Sequence, residues 1–505
     1  MNLSKIAILL LLVSTVFLIG AQEDIHKAVQ QGDAAAVQEL LTTNPALVNQ
    51  KNEYGQTPLH TALLRGKTEI AGLLIAQGAD VNAGSNSNIT PLMLAVFFGH
   101  KDVALLLISK GADMTKAHKS GMTPLLFAVS RGHKEVVELL IEKGVPLNVT
   151  DKLGGTPLLT AVLNGQKAIV EVLIAKGMDI NAANSRGSTP LSAAVREGHN
   201  DIAELLRAEG AKETGKDMLA LKGKYLGQTR PGLTPLLFAP GFVSTEHGQL
   251  NAVFTNDHKE FYFTQSKPGS HFTIMVTKQV NNRWTLPETA LFSGKYSDVD
   301  HSISPDGKKL FFCSRRPLTK DGEPRKDHDF WMMERTSTGW SGPRHLGDDV
   351  NTDREDFYPT VTKGGTLYFS SQREGEGTNN IYRSVLRDGK YMKAEKVGDA
   401  INAINSEHRD FDPFIASDES YIIFASERPG GYGASDLYIA FRKKDGTWAK
   451  AKNMGETINS SSTDYTPMLS PDGKYLFFTS ARGGVGDIYW ISAKIIEQPP
   501  GGGTL

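Results

Sequence analysis

Four aspartates recur in step along the second half of the chain: Asp298, Asp356, Asp410 and Asp464. Each lies six residues before a turn motif that starts at Ser304, Thr362, Ala416 or Ser470. Basic residues keep the same step. Arg315, Arg373, Arg428 and Arg482 follow the motif starts by 11 or 12 residues, with Lys267 in an earlier copy. Repeated carboxylates could ligate a hard cation or serve as acid and base. Repeated Asp and Arg together could instead fix loops through charge-assisted hydrogen bonds. Catalysis asks different roles of different residues, and these obey symmetry, so the structural role is expected.

The residues that break the step carry more chemical interest. His301 stands where the other copies have Pro359, Pro413 and Pro467. Asp300 and Asp412 are extra carboxylates beside it, and Glu246 falls in the first copy, whose in-register position is Gln249. If the chain is an enzyme, Asp300, His301, Asp412 and Glu246 are its candidate acid–base groups. The insert from Pro317 to Asp329 lengthens one loop with mixed charge, and loops often carry function. There is no Gly-x-Ser-x-Gly, His-Glu-x-x-His or Walker loop. The Gly-rich stretch Ser426–Asp436 lies between two strand-like runs and lacks the following helix a phosphate cradle needs. Cys313, the single cysteine, ends an apolar run and is expected to be buried and inert.

These residues must be positioned by a repeat. SPDGKKLFF at Ser304 returns as SPDGKYLFF at Ser470, with looser copies from Thr255, Thr362 and Ala416, spaced 49, 58, 54 and 54 residues. Each turn is followed by strand-like runs such as DFWM at Asp329, NIYR at Asn380, DLYI at Asp436 and DIYW at Asp487. Short strands and Pro-Asp-Gly turns with no helical period predict all-β structure, and about 50 residues per unit suits a propeller blade. The Ser-Pro-Asp-Gly-Lys turn before an apolar strand resembles the WD-like repeats of TolB-type β-propellers. That resemblance implies five blades, with a degenerate sixth left open, over residues 236–497. The fifth copy lacks an outer strand. The stretch from Pro235 to Gly248 aligns with the missing piece and is expected to close the ring, which removes exposed edges.

The first half repeats differently. Thr-Pro-Leu begins at Thr57, Thr90, Thr123, Thr156 and Thr189, always 33 residues apart, with Gly66, Gly99, Gly132, Gly165 and Gly198 nine residues on. Thr suits a helix N-cap, Pro the first turn and Gly a left-handed helix end. TPLHTALLRGKTEIAGLLIAQGADVN resembles the ankyrin repeat closely, which implies an all-α solenoid of about six repeats over residues 23–211. In such repeats the partner usually meets the hairpin tips and the outward side of the first helices. Positions four, seven and eight after each Thr are expected there. They include Arg65, Leu94, Phe97, Phe98, Phe127 and Arg131, an aromatic set edged by arginine, as at interaction hot spots. His100, His133 and His199 read as repeat-consensus positions rather than metal ligands.

Length and composition bound the whole. At 505 residues more than one core is expected, and 55 Lys and Arg against 56 Asp and Glu leave a net charge of −1. No basic excess suggests a nucleic-acid partner. Lys5 followed by the apolar run Ile6–Ile19 and the small residues Gly20 and Ala21 reads as a secretory signal over residues 1–21. The run is too short to predict a stable membrane span. Residues 212–235 read as a linker and 498–505 as a tail.

Together these readings predict an exported, periplasmic or extracellular, non-enzymatic scaffold with protein partners in the cell envelope and no cofactor or metal. Two alternatives stand beside it. One is a glycan- or peptide-directed hydrolase or lyase with its site at the propeller channel mouth. The other is a propeller that binds a cation or small ligand.

Overall fold

The computed structural model describes residues 24–212, 221–266, 269–319, 321–398 and 404–497. The expected signal at 1–21, the tail at 498–505 and Lys267 lie outside the described residues. The chain divides into two compact units, helical up to Lys212 and built of strands beyond it.

The helical unit holds six antiparallel helix pairs, from Ile25–Gln31 with Ala34–Thr43 to Pro190–Glu197 with Asn200–Ala208. The Thr-Pro-Leu ladder explains their starts. Thr90, Thr123, Thr156 and Thr189 each cap a first helix by accepting a backbone N–H three residues on. In the earliest copy His60 helps to hold the helix start. Its Nδ1 accepts the Thr57 N–H at 3.2 Å, and its Nε2 meets Ile89 O of the next repeat at 2.9 Å. The recurring glycines end the first helices at φ between +65° and +75°, which a Cβ would strain. Leu59, Leu92, Leu125, Leu158 and Leu191 stack into one continuous apolar core. The loops are tied as well. Asn49, Asn82 and Asn181 accept the N–H of Asp80, Asp113 and Lys212, each one repeat further on.

The strand unit is a five-bladed propeller. Its inner strands are Gly248–Phe254, Asp298–Ile303, Asp356–Val361, Asp410–Ile415 and Asp464–Leu469. Each touches the inner strands of the two neighbouring blades, the fifth against the first included, so the ring is closed. Antiparallel strands step outward from each, as in Asp464–Leu469, Tyr475–Ser480 and Asp487–Ser492. The outer strand of the fifth blade is Leu236–Leu237, with Leu236 opposite Trp490 and Leu237 opposite Tyr489. The closing strand therefore comes from the front of the unit. Apolar clusters fill the spaces between blades.

The propeller begins earlier than the linker reading implies. Lys222 bridges to Arg283, and Tyr225 and Leu226 are buried in the first cluster. Tyr225 packs edge-on against Phe254, His258 and Tyr475, and its hydroxyl donates to Asp472 at 2.5 Å. Two aromatic and apolar side chains in a Gly- and Lys-rich stretch suffice to dock it. Among the described residues no helix is long and apolar enough to cross a membrane.

Candidate protein-binding face and propeller hub

The first helices of adjacent ankyrin repeats bring the expected aromatic residues together. Phe97 stands edge-on to Phe98 at 5.1 Å and to Phe127 of the following repeat at 5.8 Å. Arg131 lies flat over Phe97, its Cζ 3.9 Å from the ring centre. His118, on the hairpin before Phe127, meets that ring edge-on at 6.1 Å and joins hairpin tip to helix as one surface. His133 Nε2 meets Phe97 O at 3.1 Å, so this histidine is occupied in holding the repeat, as its consensus position suggests. Burial, and then the neighbouring His133, lower the His100 pKa.

Exposure separates the six expected contact residues. Phe98 is 41% exposed, Arg65 and Arg131 are exposed, and Phe97 and Phe127 are half-buried. Leu94 does not belong with them. It is only 6% exposed and lies in the solenoid core. Position four after the Thr is buried in three repeats, at Thr61, Leu94 and Ala193, and only half-buried at Phe127 and Thr160.

In the propeller the recurring Asp and Arg form one clamp repeated four times. Asp410 accepts from Arg428 Nη2 at 2.6 Å and from the Ser406 N–H and Oγ at 2.5 and 2.7 Å. Arg428 also donates to Ser426 Oγ and Ile404 O, each at 2.7 Å, and lies over the Tyr438 ring. Arg373 with Asp356 and Arg482 with Asp464 repeat the arrangement. In the second blade the clamp residue is Arg316, not Arg315. Arg316 Nη2 donates to Asp298 at 2.9 Å, whereas Arg315 reaches Glu355 at 2.5 Å. The rule is a serine two residues before the arginine, as in Ser371, Ser426, Ser480 and Ser314. Buried carboxylates held this way are engaged in fixing the loops between strands.

Two residues inward from the clamp lies a ring that sequence reasoning noticed only in part. Asn251, Asp300, Tyr358, Asp412 and Thr466 sit in the same bulge on the five inner strands. All five have left-handed φ, from +48° to +57°. Such backbone costs roughly 1 kcal/mol or more per residue and persists where surroundings dictate it. Here blade-to-blade hydrogen bonds do so: Asn251 Nδ2 donates to His301 O at 2.8 Å, and the Tyr358 hydroxyl to Pro467 O at 2.7 Å. The following proline in three of the five strands was the available sequence signal.

Asp300 and Asp412 are brought into electrostatic reach within this ring. Burial raises the Asp300 carboxyl well above the usual range, and the Asp412 charge raises it further. Burial lifts Asp412 to about 7. His301 packs instead against the Tyr262 ring at 6.1 Å, fully buried, and burial lowers its pKa to about 4. Glu246 acts on Asp487, whose carboxyl burial also raises. The four acid–base candidates thus do not assemble into one site. Cys313 is buried, with its thiol pKa pushed up by burial. Among the described residues no three His, Cys, Asp or Glu side chains gather to hold a metal ion.

At the other end of the inner strands a cavity of about 480 Å³ opens at the axis. Val253, Ser302, Thr360, Phe414 and Met468 line it, each two residues beyond the bulge ring; Asp300 and Asp412 are not among its walls. Ser302 Oγ is buried with no hydrogen-bond partner.

A family model for ankyrin repeats (3 copies) matches residues 25–118 and 125–218, and a second, ankyrin repeats (many copies), matches 99–141. The ankyrin repeat protein FPV240 of fowlpox virus is 37% identical over 59 residues, which is 12% of this chain and 14% of that protein. The 2-5A-dependent ribonuclease of Mus musculus is 43% identical over 54 residues, 11% of this chain and 7% of that one. The chain thus spans a small fraction of these curated relatives. An ankyrin repeat domain from Acinetobacter baumannii, solved as a crystal structure, is 34% identical; the match covers 37% of this chain and 98% of that one, with TM-score 0.35. The ankyrin repeat domain of Bcl-3, of the IkappaB family, is 28% identical, covering 38% and 89%, with TM-score 0.36. With the capped helix pairs, the left-handed glycines and the 33-residue step, the family-model match identifies residues 25–118 and 125–218 as ankyrin repeats.

Proposed function

We propose that the chain is a non-enzymatic interaction scaffold whose ankyrin solenoid holds a protein partner on the face centred at Phe98. The observation that carries this reading is the cluster of half-buried Phe97 and Phe127 with exposed Phe98, Arg131 lying over the Phe97 ring. A buried set would explain itself by packing; Phe98 touches Phe97 and His100 yet stays 41% exposed, leaving ring surface open to a partner. The propeller is a second rigid body, of TolB-type on the strength of its Ser-Pro-Asp-Gly turns, and its clamps and closing strand serve integrity rather than chemistry. The N-terminal run after Lys5 supports export, to the periplasm or beyond, and so a partner in the cell envelope.

The test is capture from an envelope fraction by the full chain and by Phe98→Ala. Loss of a specific band with Phe98→Ala is expected; identical capture by both would sink the reading. A second reading concerns the 480 Å³ cavity. Its unpartnered Ser302 Oγ and its walls, polar and apolar with Asp418 as their one charged residue, favour a small polar ligand, which ligand-dependent thermal shifts lost in Ser302→Val would reveal.

A further inference from the structure

The charges around the aromatic cluster are not balanced, and this bears on what the face accepts. Arg65 and Arg131 end first helices, while Lys119 and Lys152 sit at hairpin tips; all four are exposed. None forms an ion pair among the described residues. The other charges on this side are already engaged. Lys51 and Lys116 donate to Gly84 O and Asn82 O at 3.2 and 2.9 Å. The Asp151 carboxylate accepts the N–H groups of Leu153 and Gly155, both at 2.8 Å. Arg196 and Glu197 neutralise each other at 3.2 Å. Against these stand exposed Glu53, together with Asp80 and Asp113 at the hairpin bases, whose carboxylates accept local N–H groups.

Geometry makes the four cations one surface. The hairpin tips are chained from repeat to repeat, Lys119 N–H to Ser87 O at 3.3 Å and Lys152 N–H to Ser120 O at 3.1 Å. The His118–Phe127 contact joins the tips to the helices. A chain of net charge −1 therefore presents a local excess of positive charge on the side that also exposes Phe98. We infer that the occupant of this face is an acidic peptide segment carrying one apolar or aromatic side chain. The inference rests on the face being a protein-binding site at all. Carboxylates would meet the arginines and lysines at the rim, where charge sets specificity and association rate, and the apolar side chain would seat on Phe98. Duplex nucleic acid carries a charge about every 1.7 Å, and four cations spread over three repeats leave most of such a charge density unmatched.

A randomised dodecapeptide display library panned on the full chain tests this. Acid-rich peptides with one Phe, Leu or Trp are the expected selection. A fluorescein-labelled synthetic copy should lose roughly tenfold or more in affinity to Lys119→Glu/Lys152→Glu, and should weaken in 0.5 M salt. It should also weaken with Phe98→Ala. All these positions are exposed, and circular dichroism confirms that each variant keeps its helices. Selected peptides that are neutral or basic, yet still depend on Phe98, would overturn the acidic class and leave the face intact. Peptides indifferent to Phe98→Ala, or an empty selection, would overturn the face itself. Equal competition by a single-stranded 12-nucleotide DNA would overturn the peptide assignment in favour of nucleic acid.

Discussion

The guanidinium of Arg131 lies 3.9 Å above the ring of Phe97, so a charge on one repeat rests on an aromatic ring of the repeat before it. An exposed stack of this kind is worth about 0.5–1 kcal/mol. Arg131→Ala should therefore lower the thermal midpoint only slightly while removing partner capture. Leu94→Ala, one turn away but 6% exposed, should cost about 2–5 kcal/mol and shift helix unfolding visibly by circular dichroism. Equal stability losses in the two variants would refute this division of the face.

Arg428 gives a second expectation. It ties Asp410, Ser426 and Ile404 with one planar group. Arg428→Ala leaves a fully buried carboxylate with only the Ser406 N–H and hydroxyl and without its cation, and should cost about 3 kcal/mol. Arg428→Lys keeps the charge but has no fork, and should recover less than half of that. Urea unfolding followed by tryptophan fluorescence measures both. Full rescue by lysine would mean that charge alone matters there.

The hub predicts a pH dependence. An unfolded aspartate titrates near pH 4, whereas Asp412 keeps its proton to about pH 7 in the folded chain. Between those values the folded state binds more protons than the unfolded one, so this contribution to stability falls as pH rises. Asp412→Asn removes the loss. It should be the more stable protein at pH 8, by on the order of 4 kcal/mol, and should differ little at pH 4. Unfolding curves at the two pH values decide it, and parallel wild-type and variant profiles would refute it.

Closure of the ring is equally open to test. Phe238 follows the closing strand, is fully buried, and stands edge-on to Phe477 and Trp490 at 5.1 and 5.2 Å. Phe238→Ala should cost about 3–5 kcal/mol and expose the edge of the fifth blade. Limited proteolysis should then cut first near residues 236–238. Unchanged protection would show that the ring holds without this seal.

Much of this architecture could be read from the chain because each repeat signature has a local physical cause. Thr caps, Pro starts and Gly ends the ankyrin helices within single turns, so the 33-residue step is written in short-range chemistry. The closing strand was legible too, because the unit that lacked a strand and the segment that supplied one share a pattern. What stayed hidden depends on contacts far apart in sequence. Leu94 and Phe98 are both apolar helix positions, and only stacking decides which is buried. Arg315 and Arg316 are adjacent, and the choice between them needs the serine clamp. Asp300 and Asp412 looked like free carboxylates because nothing local tells of a hub that buries them from five directions.

Leu237 and Tyr489 pair across 252 positions of chain. At a synthesis rate of about 5–20 residues per second, the closing strand waits roughly 13–50 s for its partner to be made. Throughout that interval the nascent propeller is an open arc with two unsatisfied edges. The seal that protects the finished ring thus defines a timed window of vulnerability, and during that window the chain must be shielded or kept unfolded.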